Sequence, residues 1–355
     1  MVIDVLILLG CLALLWFVTD KMVEALTSIA QQFSIPQSVA GATLAAMGSS
    51  LPEFGTNAFA VTGAAFAKGP TDVGDIGFGT IVGSALFNLC IIIGVPALIR
   101  PLDVSRRVLT RDAFWYLIAC AMTVVFIWDG KLVAWEAAAW VVVYCIYFVI
   151  LMLDIKRHPE EAEEVEQMPL GKAMAYFIGS LVIIAGSCHF MVESTVHIAK
   201  AIQLPAVLIS LVVLAFGTSI PDLLASIQAT RQGNTSMAVS NAIGSNCFDI
   251  LICLGAPVLI YTLARAEPFL IGVAPPGLVA GPGFSQGLML LSVLFLTLSL
   301  VVTVIVLRTG WKVVAWEGWL LIAVYVLFIA SLALLWFQRS AAWLTHLIQL
   351  MTGAP

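Results

Sequence analysis

Gly48-Ser49-Ser50-Leu51-Pro52-Glu53 and Gly217-Thr218-Ser219-Ile220-Pro221-Asp222 are two versions of one hexapeptide. Each sets a carboxylate directly behind a proline, inside an otherwise apolar stretch. A carboxylate at membrane depth is costly and marks a functional site by default. Matching carboxylates in two halves of one chain point to a cation site built where two repeats meet.

The surrounding sequence is that of a membrane protein. Of 355 residues, 61% are hydrophobic and 10% are charged, against about 25% charged in a soluble domain. Mean hydropathy is +1.05. A spanning helix needs roughly 20 apolar residues. The apolar runs supply about ten, centred near residues 10, 48, 88, 119, 142, 183, 215, 250, 297 and 325. They do not alternate as transmembrane strands would. The expected fold is therefore an all-α polytopic membrane protein. Val2 to Phe17 has no basic residues before it and carries Asp4, so it reads as a first helix and not a cleaved signal. A net charge of −5 offers no basic face to nucleic acid.

The repeat extends well beyond the hexapeptides. At an offset of 169 residues, Met22-Val23-Glu24 returns as Met191-Val192-Glu193, Ile29-Ala30 as Ile198-Ala199, and Pro36 as Pro205. At an offset of 161, Gly83-Ser84 and Phe87-Asn88 return as Gly244-Ser245 and Phe248-Asp249. At an offset of 181, Val133-Ala134-Trp135-Glu136 returns as Val314-Ala315-Trp316-Glu317. Five helices per half is an odd number, so the second half enters the membrane inverted. The expected organisation is a first repeat over 1–153, a linker over 154–171, a second repeat over 172–339 and a tail over 340–355. The linker holds the acidic run Glu160 to Glu166 and reads as solvated. Ala264 to Phe284 reads as an irregular loop, and the tail as a short interfacial helix. Trp135-Glu136 and Trp316-Glu317 read as helix starts. Eleven of the sixteen Lys and Arg residues fall on one side of a ten-span topology. The positive-inside rule then puts the linker in the cytoplasm and both termini outside.

Proline cannot donate to the carbonyl four residues back. Pro52 thus frees the carbonyl of Gly48, and Pro221 that of Gly217. With the hydroxyls of Ser49, Ser50, Thr218 and Ser219, and with Glu53 and Asp222, these carbonyls form a set of hard oxygen donors. Such donors suit Na⁺, K⁺ or Ca²⁺. In the next helix of each half, Ser84 and Asn88 share a face, as do Ser245 and Asp249. Gly83 and Gly244 would let helices approach closely. Two carboxylates about 5 Å apart repel by roughly 3 kcal/mol at an effective dielectric near 20. With Asp249 added, the empty site must hold cations or protons. If helices rearrange only when that charge is balanced, cations exchange and do not leak. One Ca²⁺ with one monovalent ion balances three carboxylates, as do three Na⁺. The seven cysteines all lie in apolar runs without tight metal-ligand spacing and read as packing residues.

These motifs resemble the two α-repeats of the sodium/calcium exchanger family, within the cation/Ca²⁺ exchanger superfamily, over essentially all ten helices. Gly79-Thr80-Ile81-Val82-Gly83-Ser84, the second hexapeptide and Met237-Ala238-Val239-Ser240 resemble its potassium-dependent branch. The resemblance implies a four-site cage between the second, third, seventh and eighth helices. Glu53 and Asp222 would be its central ligands. Ser49, Ser50, Ser84, Asn88, Thr218, Ser219, Ser245 and Asp249 would line it, and Ala46 and Ala215 would add backbone carbonyls. The first and sixth helices would slide to alternate access. It further implies Ca²⁺ exchanged for Na⁺, with K⁺ as a candidate co-transported ion, no cofactor and a monomer sufficient for transport. The site of action would be the plasma or inner membrane, with inorganic cations and the bilayer as the only partners. The chain departs from the family pattern at Ser49, at Ala85 (where Asn is frequent) and at Asp222, which is Glu in many prokaryotic members. An alternative reading is Ca²⁺/H⁺ exchange, since three carboxylates could carry protons. A channel and a membrane scaffold are alternatives of other classes.

Overall fold

The computed structural model describes residues 1–32, 46–66, 73–104, 106, 108–157, 168–202, 204–233, 235, 237–272 and 284–352. Pro36 and the acidic run Glu160 to Glu166 lie outside these residues.

The described residues form ten helical segments. α1 is Val2–Gln32. α2 is Leu51–Phe66, preceded by a short turn of helix, Ala46–Ser49. α3 runs through Val73–Phe87, a π-helical turn Asn88–Ile92, and Ile93–Ile99. α4 joins a π turn, Val108–Asp112, to Ala113–Phe126. α5 is Ala134–Arg157 and α6 is Leu170–Ile202. α7 runs through Ala206–Ile209, a π turn Ser210–Leu214, and Ala215–Gln232. α8 runs through Met237–Phe248, a π turn Asp249–Leu254, and Gly255–Arg265. α9 is Phe284–Arg308 and α10 is Ala315–Thr352.

Eight of these are long and apolar enough to cross a membrane, against the expected ten. The two that fall short are α2 and α4. α2 is cut from its leading turn at Ser50, and α4 opens on the charged pair Arg111-Asp112. Two further expectations change. No proline or glycine interrupts 336–352, so the tail continues α10 and does not form a separate helix. The loop after α8 is not wholly irregular, because Phe269–Leu270 forms a strand.

The helix starts at the repeated Trp-Glu pairs match the expectation. Glu136 accepts the backbone N–H of Val133 at 3.0 Å, and Glu317 accepts that of Val314 at 2.9 Å. Each carboxylate thereby satisfies an N–H that the helix leaves orphaned. α7 ends where Gly233 takes φ +100°, a conformation open to glycine.

Two features relate the halves. α1 and α6 lie antiparallel: His197 meets Asp4 at 2.9 Å, Ser180 reaches the carbonyl of Val18 at 3.5 Å, and Gln32 reaches that of Met168 at 2.7 Å. Four two-residue strands pair across the halves: β1 (Leu102–Asp103) with β4 (Lys312–Val313), and β2 (Lys131–Leu132) with β3 (Phe269–Leu270). At the first ribbon, the Thr235 hydroxyl bonded to Asp103, with Lys312 beside it, holds that carboxyl below its usual range.

The buried apolar side chains form two layers. The larger one joins α3, α4 and α5 to α7, α8, α9 and α10, and includes none of the side chains of α1 or α6. A second joins Leu15, Val18 and Met22 of α1 to Ile184, Cys188 and Met191 of α6, and both to Ala60, Ile76 and Leu214 of the body.

Candidate cation site

The first hexapeptide breaks its helix, and the break is at Ser50. The Ser50 carbonyl accepts Phe54 N–H at 3.0 Å, which restarts the helix and carries Glu53 inward on its first turn. The second hexapeptide stays helical, with Pro221 inside α7. The irregularity there comes one turn earlier, in the π turn Ser210–Leu214. α3 and α8 also carry π turns, which begin at Asn88 and at Asp249. A π turn widens the helix by one residue and re-aims the side chains at its start.

The three carboxylates are buried, with Glu53 2%, Asp249 1% and Asp222 8% exposed. Glu53 Oε1 accepts from Ser84 Oγ at 3.3 Å, and Ser84 Oγ lies 2.8 Å from Ser219 Oγ. Thr218 also faces Glu53, Ser49 faces Asp222, and Ser50 faces Asp249. Asn88 Nδ2 donates to Ser245 Oγ at 3.4 Å and to Asn246 Oδ1 at 2.9 Å. α2, α3, α7 and α8 thus bring Glu53, Ser84, Thr218 and Ser219 into one cluster and Asn88 and Ser245 into another. Ala46 opens the leading turn of helix. The Ala215 carbonyl is reached by Thr218 Oγ1 at 3.4 Å, and that hydroxyl also bonds the Leu214 carbonyl at 3.1 Å.

Three atoms in this region are buried with no hydrogen-bond partner among the described residues: Glu53 Oε2, Asp249 Oδ2 and Asn88 Oδ1. All three are acceptors. Leaving such groups orphaned costs about 1–3 kcal/mol each, and more when charged. The charges that act most strongly on the three carboxylates are negative: the carboxylates themselves, and Asp20 of α1. The cluster is therefore short of positive charge, and a cation entering it would gain on both counts. Among the described residues no three His, Cys, Asp or Glu side chains sit close enough together to hold a metal ion unaided. Hydroxyl, amide and backbone oxygens would have to complete any coordination shell.

Close helix packing delivers these groups. A Cβ on Gly83 would lie 2.4 Å from the Leu211 carbonyl and 2.6 Å from Ala215 Cβ, so α3 presses directly on α7. The expected twin, Gly244, has nothing within 4 Å and does not serve close approach.

Several residues of the site went unrecognised in the sequence. Asn246 accepts from Asn88 and donates to the Ala85 carbonyl at 3.0 Å and to Tyr116 Oη at 3.1 Å. Asn57 donates to the Cys253 carbonyl at 2.7 Å. It stands four residues after Glu53, a spacing that could have flagged it. Cys253 and Cys188 bond to site carbonyls, those of Ser50 at 3.7 Å and Pro52 at 3.4 Å, and so do more than fill space.

The sequence model of the sodium/calcium exchanger protein family matches residues 3–153 and 172–334. The chain belongs to the sodium/calcium exchanger family. It is an integral, multi-pass membrane protein. This exchanger is 27% identical over 372 residues to the sodium/calcium exchanger MaX1 of Methanosarcina acetivorans, covering 93% of this chain and 98% of that one. It is 29% identical over 268 residues to the putative antiporter CaxA of Alkalimonas amylolytica, covering 73% and 81% of the two chains. Its fold matches the crystal structure of the H⁺/Ca²⁺ exchanger CAX with a TM-score of 0.71 at 14% identity, covering 98% of this chain and 92% of that one. The sodium-calcium exchanger NCX_Mj matches with a TM-score of 0.57 at 25% identity, covering 93% and 99%.

Proposed function

We propose that this exchanger is a secondary active antiporter that moves Ca²⁺ against Na⁺ by alternating access, with K⁺ as a candidate co-transported ion. The observation that carries the proposal is the buried cluster of Glu53, Asp222 and Asp249, drawn from both halves, with acceptor atoms unpartnered among the described residues and mainly negative charges acting on it. Glu53 and Asp222 are the central ligands in this reading. Asp249, Asn88, Ser49, Ser50, Ser84, Thr218, Ser219 and Ser245 line the sites, with the carbonyls of Ala46 and Ala215. A buried carboxylate cluster short of positive charge holds cations tightly, and exchange follows if the helices rearrange only when that charge is balanced.

The antiparallel α1 and α6 and the cross-paired ribbons support ten spans arranged as two inverted five-helix repeats. The separate apolar layer of α1 and α6 suits a pair that slides against the rest. Both termini lie outside and the linker inside the cell in this topology, in the plasma or inner membrane. One copy of the chain suffices, without a cofactor.

A second reading is Ca²⁺/H⁺ exchange, favoured by the oxygens of Glu53 and Asp249 that are unpartnered among the described residues, each of which could carry a proton. Ca²⁺ flux into proteoliposomes under separate Na⁺, K⁺ and pH gradients tests both. The expected result is uptake driven by an opposing Na⁺ gradient. Uptake driven by a pH gradient without Na⁺ replaces the first reading with the second. Currents without coupling to either gradient overturn both.

A further inference from the structure

Cys253 belongs to the π turn that begins at Asp249, one turn further along. Its Sγ lies 3.8 Å from Asp249 Oδ1 and 3.7 Å from the Ser50 carbonyl oxygen. The Cys253 carbonyl is held by Asn57 Nδ2 at 2.7 Å, which fixes this backbone to α2. The thiol thus sits between a carboxylate of α8 and a carbonyl from the break before α2. The other oxygen of Asp249 and Oε2 of Glu53 are both buried and unpartnered.

We propose that Cys253 Sγ, Asp249 and the Ser50 carbonyl form a binding site for a soft or borderline divalent cation, of which Cd²⁺ and Zn²⁺ are examples. The inference rests on the cation site described above, since it extends one edge of it. Thiolate is the protein donor that favours such ions, and carboxylate and carbonyl oxygens alone favour Ca²⁺. The spacing fits. With Zn–S about 2.3 Å and Zn–O about 2.0–2.2 Å, a tetrahedral ion puts sulfur and oxygen about 3.6 Å apart. Both observed separations are close to that edge length, so the donors need little movement to close on an ion. A fourth position falls to water. As the Sγ–metal bond forms, the thiol proton passes to solvent. The consequence is a second selectivity in the same cavity: soft divalent ions should bind and block Ca²⁺ exchange.

The test uses the full-length protein in nanodiscs, with exposed Cys145 replaced by Ser to remove that thiol. Cd²⁺ is titrated in, and thiolate-to-cadmium charge transfer is followed in the ultraviolet. The expected result is a saturable band with Cys253 present, lost in Cys253→Ser. The Cd²⁺ concentration that half-blocks Ca²⁺ flux should rise roughly tenfold or more, because removing even an outer partner of a metal ligand costs about 10–100-fold. Asp249→Asn should keep the band but weaken Cd²⁺ binding, which gives a second reading if Cys253→Ser fails to fold. Absence of a thiolate band in the parent protein, or Cd²⁺ block unchanged by Cys253→Ser, overturns the inference. The band depends on no ion gradient. A band without Ca²⁺ exchange therefore overturns the proposed antiport and leaves the soft-ion site standing.

Discussion

Glu53→Gln should weaken transport and strengthen the fold at the same time. Glutamine keeps the size of the side chain and an oxygen for Ser84 Oγ, which lies 3.3 Å from Glu53 Oε1. It removes one buried negative charge. At about 4 Å and an effective dielectric near 20, a unit charge pair is worth about 4 kcal/mol, so Ca²⁺ gains about 8 from Glu53. A monovalent ion or proton that Ca²⁺ displaces gained about 4 of that, so the net loss in exchange is about 4 kcal/mol, or roughly a thousandfold in apparent Ca²⁺ affinity. Without cations the sign reverses. The variant escapes repulsion from Asp222 and Asp249, at most about 3 kcal/mol from each at about 5 Å. Two assays are needed: ⁴⁵Ca²⁺ uptake into Na⁺-loaded proteoliposomes, and thermal unfolding in detergent with chelator. The expected outcome is near-abolished uptake with a raised melting temperature. Uptake within about tenfold of the parent would refute the electrostatic account, given that 1.4 kcal/mol is a factor of ten. Lowered melting temperature together with lowered uptake would make Glu53 a packing residue.

Asn246→Ala removes the acceptor of Asn88 and the donor to the Ala85 carbonyl and Tyr116 Oη, and should cost about 2–4 kcal/mol of stability at about 1–3 kcal/mol per orphaned group; thermal unfolding of the detergent-solubilised variant measures it, and an unchanged midpoint would mean that the network is idle. Gly83→Ala should destabilise by about 1–3 kcal/mol through overpacking against α7, whereas Gly244→Ala, its sequence twin, should be tolerated; equal effects at both positions would contradict the packing described. Asp4→Cys with His197→Cys should form an oxidative crosslink between α1 and α6, whose residues 4 and 197 now meet at 2.9 Å, read as a mobility shift after cleavage of the linker; a crosslink of Asp4→Cys to Ala173→Cys instead would contradict the antiparallel arrangement.

The repeats were legible because each carries chemistry that apolar helices otherwise avoid. A proline beside a carboxylate, or a Gly-Ser pair four residues before an amide or acid, stands out from an apolar background. Glu136 and Glu317 were legible for the same reason, since a capping acid has a fixed place relative to its helix. The π turns at Asn88 and Asp249 were not legible: a single inserted residue leaves an apolar run looking like any other helix. Gly83 and Gly244 looked equivalent because a sequence gives the small residue and not its neighbour. Asn246 was not legible as a partner of Asn88, because their bond spans 158 residues of chain. Cys253 was overlooked because buried cysteines usually only pack. The two spans that fell short contain a broken helix at Ser50 and a charged Arg-Asp pair at the start of α4.

The crossed ribbons bear on how such a protein is assembled. Chains are made from the N-terminus, and the first elements begin to fold before the last exist. β1 and β2 are complete while their partners, β4 and β3, are still to be synthesised. Each strand pairs with one from the other half, and Ser84 and Asn88 wait in the same way for Ser219 and Asn246. The first five segments are therefore an unfinished intermediate, held open at two edges and at its most costly charge. Completion waits for the second half, whose β3 closes the ribbon of β2 and whose β4 closes that of β1. A nascent chain halted between the repeats would be a substrate for quality control and not a smaller exchanger.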